Sequence, residues 1–157
     1  MNLQSSAFKT GQPIPKKHTG KGQDLSPPLT WSDPPAAAKQ FALIVDDPDA
    51  PTPQPWGHWV LYNIPPETTQ LPEALPQKDT LDTPPGARQG KNSWDTNNIG
   101  YRGPMPPPGH GTHHYHFMLY ALDTPLDAKP GLSKTQLLDL MKGHIIAQAE
   151  LVGTCER

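Results

Sequence analysis

GYRGPMPPPGHGTHHYHF, residues 100–117, is the stretch that sets the class of fold. It opens on an aromatic and a Gly-Pro turn, runs through three consecutive prolines, and crosses a Gly-His-Gly hinge. Four histidines, His110, His113, His114 and His116, then fall within seven residues. Proline fixes φ and glycine releases it, so the run is a shaped loop with little conformational freedom left to lose. From His113 the chain becomes HHYHFMLYAL, an aromatic and apolar run of strand type. Alternation along such a strand puts His113 with Tyr115 on one face and His114 with His116 on the other. A rigid loop that delivers imidazoles onto a buried strand builds one wall of a pocket.

Working outward, two further runs read as strong strands. FALIVD (41–46) is continuous and β-branched, which predicts burial on both faces, and it stops at the acidic, proline-rich DPDAP (47–51). WGHWVLYNI (56–64) follows, and strict alternation would place His58, Val60 and Tyr62 on one side with Trp59, Leu61 and Asn63 on the other. A weak strand is expected near residues 2–8, and LSPPLTW (25–31) reads as an extended edge segment because prolines break it. Residues 15–24 are polar and read as loop, and residues 67–94 as a long excursion with at most a helical turn at 68–74. Ser133 and Gln136 form a capping box ahead of Leu137, Leu140, Met141, His144, Ile145 and Leu151, which predicts a helix over 133–151 with Gly143 as a weak point, a kink or a break into two helices. Strands come first, the helix comes last, and no βαβ rhythm or repeat is present. The expected fold is a single, mainly β domain over residues 1–157, built from antiparallel sheet with a flanking C-terminal helix.

Composition narrows the functional classes. The net charge of −2 provides no basic field for nucleic acid. A single cysteine, Cys155, excludes an internal disulfide framework and suits a reducing, cytoplasmic setting, although a disulfide-free periplasmic protein would look the same. The N-terminal residues hold no apolar signal core, and no apolar run is long enough to span a membrane. Proline, 22 of 157 residues, sits at the ends of the apolar runs and leaves their interiors intact, which favours an ordered, loop-rich β fold over disorder. Trp31 and Trp94 read equally as homodimer contacts, if exposed, and as local packing residues.

Three places carry the chemistry: the Asp47-Pro48-Asp49 turn, His58 among tryptophans, and the histidine run. An isolated DPD is most simply an Asx turn, and a lone strand histidine most simply a hydrogen-bonded core residue. Two same-face imidazoles with Asp47 or Asp49 are a minimal zinc set, but no Cys pair and no helical His pair accompanies them, so no metal and no cofactor is expected. Ser93 lacks the strand-to-helix elbow of a hydrolase nucleophile, and Cys155 reads as tail without a base beside it. Asp47 and Asp49 lie too close to flank a glycosidic bond. Imidazole N–H groups, a tyrosine hydroxyl and loop N–H groups suit an anion better. A carboxylate such as Asp47 then fixes a histidine tautomer, accepts from a protonated ligand oxygen, or meets an ammonium group.

DPDAP (47–51), GHWVLYNIP (57–65), GYRGPMPPPGHGTHHYHF (100–117) and YALD (120–123), in this order, resemble the phosphatidylethanolamine-binding protein family. SPPLTW (26–31) and GHIIAQAELVGTCER (143–157) resemble its bacterial and archaeal Raf-kinase-inhibitor-like branch. The resemblance implies antiparallel Greek-key sheets with short helices near the C-terminus. It also implies a small pocket for phosphate, phosphorylated head groups, acetate or similar anions. Matched residue by residue, the pocket positions fall on Asp47, His58, Gly103, Pro106, Pro107, His113 and Tyr115, with Trp56 and Tyr101 flanking. Two departures stand out: His114 takes the place of the family's arginine, and Met105 that of a cysteine. The expected function is binding of an anionic or phosphorylated small molecule, such as a phospholipid head group, without catalysis, with regulation or inhibition of a partner protein as an extension. The alternatives are a hydrolase or metal-dependent enzyme using the same Asp/His set, and an interaction protein with a vestigial pocket.

Overall fold

A computed structural model describes residues 1–157. Eight strands and one helix follow one another along the chain: β1 (Asn2–Gln4), β2 (Leu29–Ser32), β3 (Gln40–Asp47), β4 (Trp56–Ile64), β5 (Gln70–Leu71), β6 (Arg88–Gln89), β7 (His113–Leu122), α1 (Lys134–Met141) and β8 (Ile145–Cys155). They form a three-stranded sheet in the order β1-β2-β5 and a five-stranded sheet in the order β6-β4-β3-β7-β8, with every ladder antiparallel. In the larger sheet β7 returns by a long connection to lie beside β3, giving the spatial order β7-β3-β4-β6 of a Greek key.

The β-branched and aromatic runs account for the two-sided burial of β3 and β4. Phe41, Leu43 and Val45 face the small sheet and pack with Trp59, Phe117, Leu119, Leu29, Trp31 and Leu71 in the main core. Ala42 and Ile44 face the opposite way and meet Val60, Tyr62, Leu122, Leu137 and Met141 in a second core under α1. Each large apolar side chain removed fully from water contributes about 1.5–3 kcal/mol. The two cores make the middle of the five-stranded sheet the rigid part of the molecule.

Three expectations are corrected. The capping box at Ser133 forms as read, but α1 ends at Met141 and the chain re-enters the sheet as β8 at Ile145. Gly143, at φ 83°, makes the break; the three-and-four spacing beyond it is not a helical stripe, and Ile145 and Ile146 are exposed. β2 is the central strand of the small sheet, not an edge, because Pro27 and Pro28 precede the paired residues. The excursion over 67–94 carries β5 at Gln70–Leu71 where a helical turn was expected. It is pinned by buried Gln89, whose Oε1 accepts from Trp59 Nε1 at 2.7 Å while its Nε2 donates to the Pro76 and Lys78 carbonyls. Trp31 takes the local-packing reading, buried in the main core.

Candidate functional site

Asp47 is the last residue of β3, Trp56 and His58 open β4, and His113 and Tyr115 open β7. The antiparallel register brings these ends together: Asp47 pairs with Trp56, and Asp46 with His116. Between them lies a cavity of about 290 Å³ whose walls are Asp47, Trp56, His58, Trp94, His113 and Tyr115 and whose rim includes Ala50, Pro51, Thr52, Met105, Pro106 and Pro107. A small ligand or head group fits such a volume. A larger cavity of about 440 Å³ lies between residues 1–10 and 149–151, but no buried titratable side chain lines it.

His58 reaches this cavity through a β-bulge. Val45 pairs with Trp59 and Asp46 with Gly57, so β4 carries one residue more than β3 at His58. The extra residue breaks the alternation that would have put His58 with Val60 and Tyr62 on the helix side, and turns its ring beside Tyr115, with centroids 5.1 Å apart. The expected split of the histidines on β7 holds. His113 and Tyr115 are buried at the cavity, whereas His114 binds Asp49 Oδ2 at 2.8 Å and half-exposed His116 lies 3.0 Å from Glu150. No group of three His, Cys, Asp or Glu side chains is placed to hold a metal ion.

Hydrogen bonds fix the proton positions. A carboxylate accepts, so His113 donates Nδ1–H to Asp47 Oδ2 at 2.6 Å, and its Nε2 faces His110 Nδ1, also at 2.6 Å. Asp47 Oδ1 accepts the Asp49 N–H at 2.8 Å, so the Asx turn and the pocket role are one arrangement. His58 donates Nδ1–H to the Arg102 carbonyl at 2.6 Å. Burial pushes the His58 imidazole down to about 4, against the opposing pull of that carbonyl, Asp47 and Asp46. The ring is therefore neutral near pH 7, with its free lone pair on Nε2. Burial, with the nearby Asp47 charge, also raises Tyr115. Its hydroxyl is buried in the cavity wall with no partner in the protein.

Of the residues singled out from sequence, Asp47, Trp56, His58, Pro106, Pro107, His113 and Tyr115 line the cavity, and Gly103 and Tyr101 do not. Tyr101 is a core residue: its hydroxyl donates to the His18 carbonyl at 2.6 Å and its ring stands edge-on to Trp59. Gly103 holds the loop from behind, its N–H donating to Asp24 Oδ1 at 2.7 Å. Trp94, read equally as a dimer contact or a local packing residue, is a wall of the cavity, packed edge-on against Trp56 and His58 at 5.4 and 5.1 Å, with the Arg102 guanidinium over its ring. A lone tryptophan in a polar excursion was the one signal for it. Cys155, read as tail, lies in β8 opposite His113. Burial raises its thiol, which leaves little thiolate.

The family model described as phosphatidylethanolamine-binding protein matches residues 4–156. A UPF0098 protein of Methanothermobacter thermautotrophicus is 48% identical over 157 residues, covering 100% of this chain and 99% of its own. Among solved structures, Escherichia coli YbcL, described as a new member of the mammalian PEBP family, superposes with a TM-score of 0.90 at 36% identity over 99% of this chain and 98% of its own. A Chlamydia trachomatis homologue of phosphatidylethanolamine-binding protein gives a TM-score of 0.87 at 44% identity over 99% of this chain and 97% of its own. With its Greek-key sheet and this match along nearly its whole length, the chain belongs to the phosphatidylethanolamine-binding protein family.

Proposed function

We propose that the cavity binds a small phosphate-bearing ligand and performs no chemistry on it. The observation that carries this reading is the Tyr115 hydroxyl, buried in the wall of the cavity and left without a partner. A buried polar group lacking a hydrogen bond costs about 1–3 kcal/mol, which an oxyanion accepting from it would recover. Asp47 fixes the His113 ring in the wall of the same cavity, with its Nε2 held by His110. The nearby nucleophile candidates do not support catalysis: Ser93 Oγ accepts the Gly57 N–H at 2.7 Å, and the Cys155 thiol is raised. Regulation of a partner protein, which the family resemblance suggests, would be read at the rim, where Met105 is 42% exposed beside Pro106 and Pro107. Titration calorimetry with phosphoethanolamine tests the binding reading. His58→Ala and Asp47→Asn should each abolish the heat of binding, and two variants that bind like the parent would remove the ligand from this cavity. No helix is long and apolar enough to cross a membrane.

A further inference from the structure

Donors and acceptors in the cavity wall do not balance. The Arg102 carbonyl fixes His58 with its proton on Nδ1, which leaves Nε2 as a lone pair with no partner in the protein. Each Asp47 oxygen takes one N–H, from His113 and from Asp49, and keeps further lone pairs. His113 Nε2 is turned to His110, and Tyr115 supplies one free hydroxyl. The groups around the His58 ring are Asp46 and Asp47 on β3, His113 and Tyr115 on β7, and Trp94 with Arg102 above it. A fully ionised oxyanion would set its own lone pairs against those of His58 and Asp47.

We propose, on the reading of the cavity as a phosphate site, that it selects an oxyanion bringing its own proton: a singly protonated phosphate monoester whose P–OH donates to His58 Nε2. One of the remaining oxygens accepts from the Tyr115 hydroxyl. Charge does not make this selection, because a phosphodiester carries the same single negative charge. The proton does. Free phosphorylated metabolites are monoesters, whereas an intact phospholipid holds its phosphate as a diester, so the same cavity that takes a free head group rejects the lipid that contains it. Sulfate, tetrahedral but unprotonated, is rejected on the same ground.

Calorimetric titration at ~pH 6, near the second ionisation of phosphate monoesters, separates the sources with four probes: phosphoethanolamine, inorganic phosphate, glycerophosphoethanolamine and sulfate. The two protonatable probes should bind, and the diester and sulfate should bind about tenfold to a hundredfold more weakly, the penalty of an acceptor left without a donor. Phosphoethanolamine affinity should fall about tenfold per pH unit above ~6 as its proton is lost. In His58→Gln the amide can turn either an acceptor or a donor to the cavity, and the gap between phosphate and sulfate should narrow by roughly tenfold. Diester or sulfate binding within a factor of about three of phosphoethanolamine overturns the selection while leaving phosphate binding in place. A gap that His58→Gln leaves at full size overturns the assignment to His58. No binding of any probe removes the functional reading along with the selection.

Discussion

His58 shows how much one buried side chain sets the behaviour of this fold. Its imidazole has an ordinary value of 6.5 and is pushed down to about 4 in the folded protein, first by burial. Between those values the unfolded chain binds a proton that the folded chain does not, so stability is full above ~pH 6.5 and declines as the pH falls toward 4. The decline attributable to this residue is roughly 3 kcal/mol. Urea unfolding at ~pH 7 and ~pH 4.5 should show it, and His58→Gln should flatten the difference; a parent with equal stability at both values would exclude a buried neutral ring. Gly103 is the second residue with a sharp consequence. A Cβ there would sit 2.2 Å from the His18 carbonyl oxygen and 2.7 Å from Asp24 Oδ1. Gly103→Ala should cost about 1–3 kcal/mol and weaken ligand binding by shifting the proline rim, measured as a lower urea midpoint together with reduced calorimetric affinity. At this scale the sequence was informative in an uneven way. Asp47, His113 and Tyr115 follow from alternation and motif, whereas the reach of His58 depends on a bulge that no residue type announces. Gly103 was assigned to the pocket by resemblance, and its physical reason is the close approach of the segment at His18, which read only as a polar loop. Buried His18 itself, its Nδ1 hydrogen-bonded to the Leu25 carbonyl at 2.8 Å, had no signal beyond its residue type.

At the scale of elements, the strands β3, β4 and β7 were legible because continuous apolar and aromatic runs bounded by proline leave few alternatives. β8 was not. Its run IIAQAELVGTC carries apolar residues at spacings that a helix also satisfies, and it follows a well-capped helix with only Lys142, Gly143 and His144 between. Gly143 discriminates the two readings by sign. Inside a helix, Gly143→Ala would stabilise by about 1 kcal/mol. At φ 83° with nothing within 4 Å of a new Cβ, the same change meets no clash but forces an L-residue into the left-handed region. It should therefore destabilise by about 1–2 kcal/mol. A shift of the thermal midpoint measures the sign directly, and an increase would contradict the turn between α1 and β8. The short strands β5 and β6 escaped the sequence reading for another reason: two paired residues carry no period, and their positions are set by distant partners, β2 for β5 and β4 for β6.

At the scale of the whole molecule, the site is a property of the fold more than of any segment. Its walls come from residues 47, 56, 58, 94, 113 and 115, and its rim from 50–52 and 105–107, gathered at one end of the five-stranded sheet. None of these stretches has a reason to hold its geometry alone. His113 is placed by its pairing with Cys155 in the β7–β8 ladder and by its bond to Asp47, and the ladder is held by the core beneath it. Periodicity identified the strands, but their distribution between two sheets and the Greek-key order entered only through the resemblance, because pairing partners are set by packing across distant sequence. A ligand bound at such a site acts on the whole folding equilibrium, since the unfolded chain retains none of it. Phosphoethanolamine at about a hundred times its dissociation constant should stabilise the protein by about 2.7 kcal/mol. For a chain of 157 residues that corresponds to a midpoint increase of roughly 5–10 °C in differential scanning fluorimetry. Asp47→Asn should remove the increase, because it takes away the carboxylate that orients His113. An increase that survives in the variant would instead place binding elsewhere, for example in the larger cavity between residues 1–10 and β8.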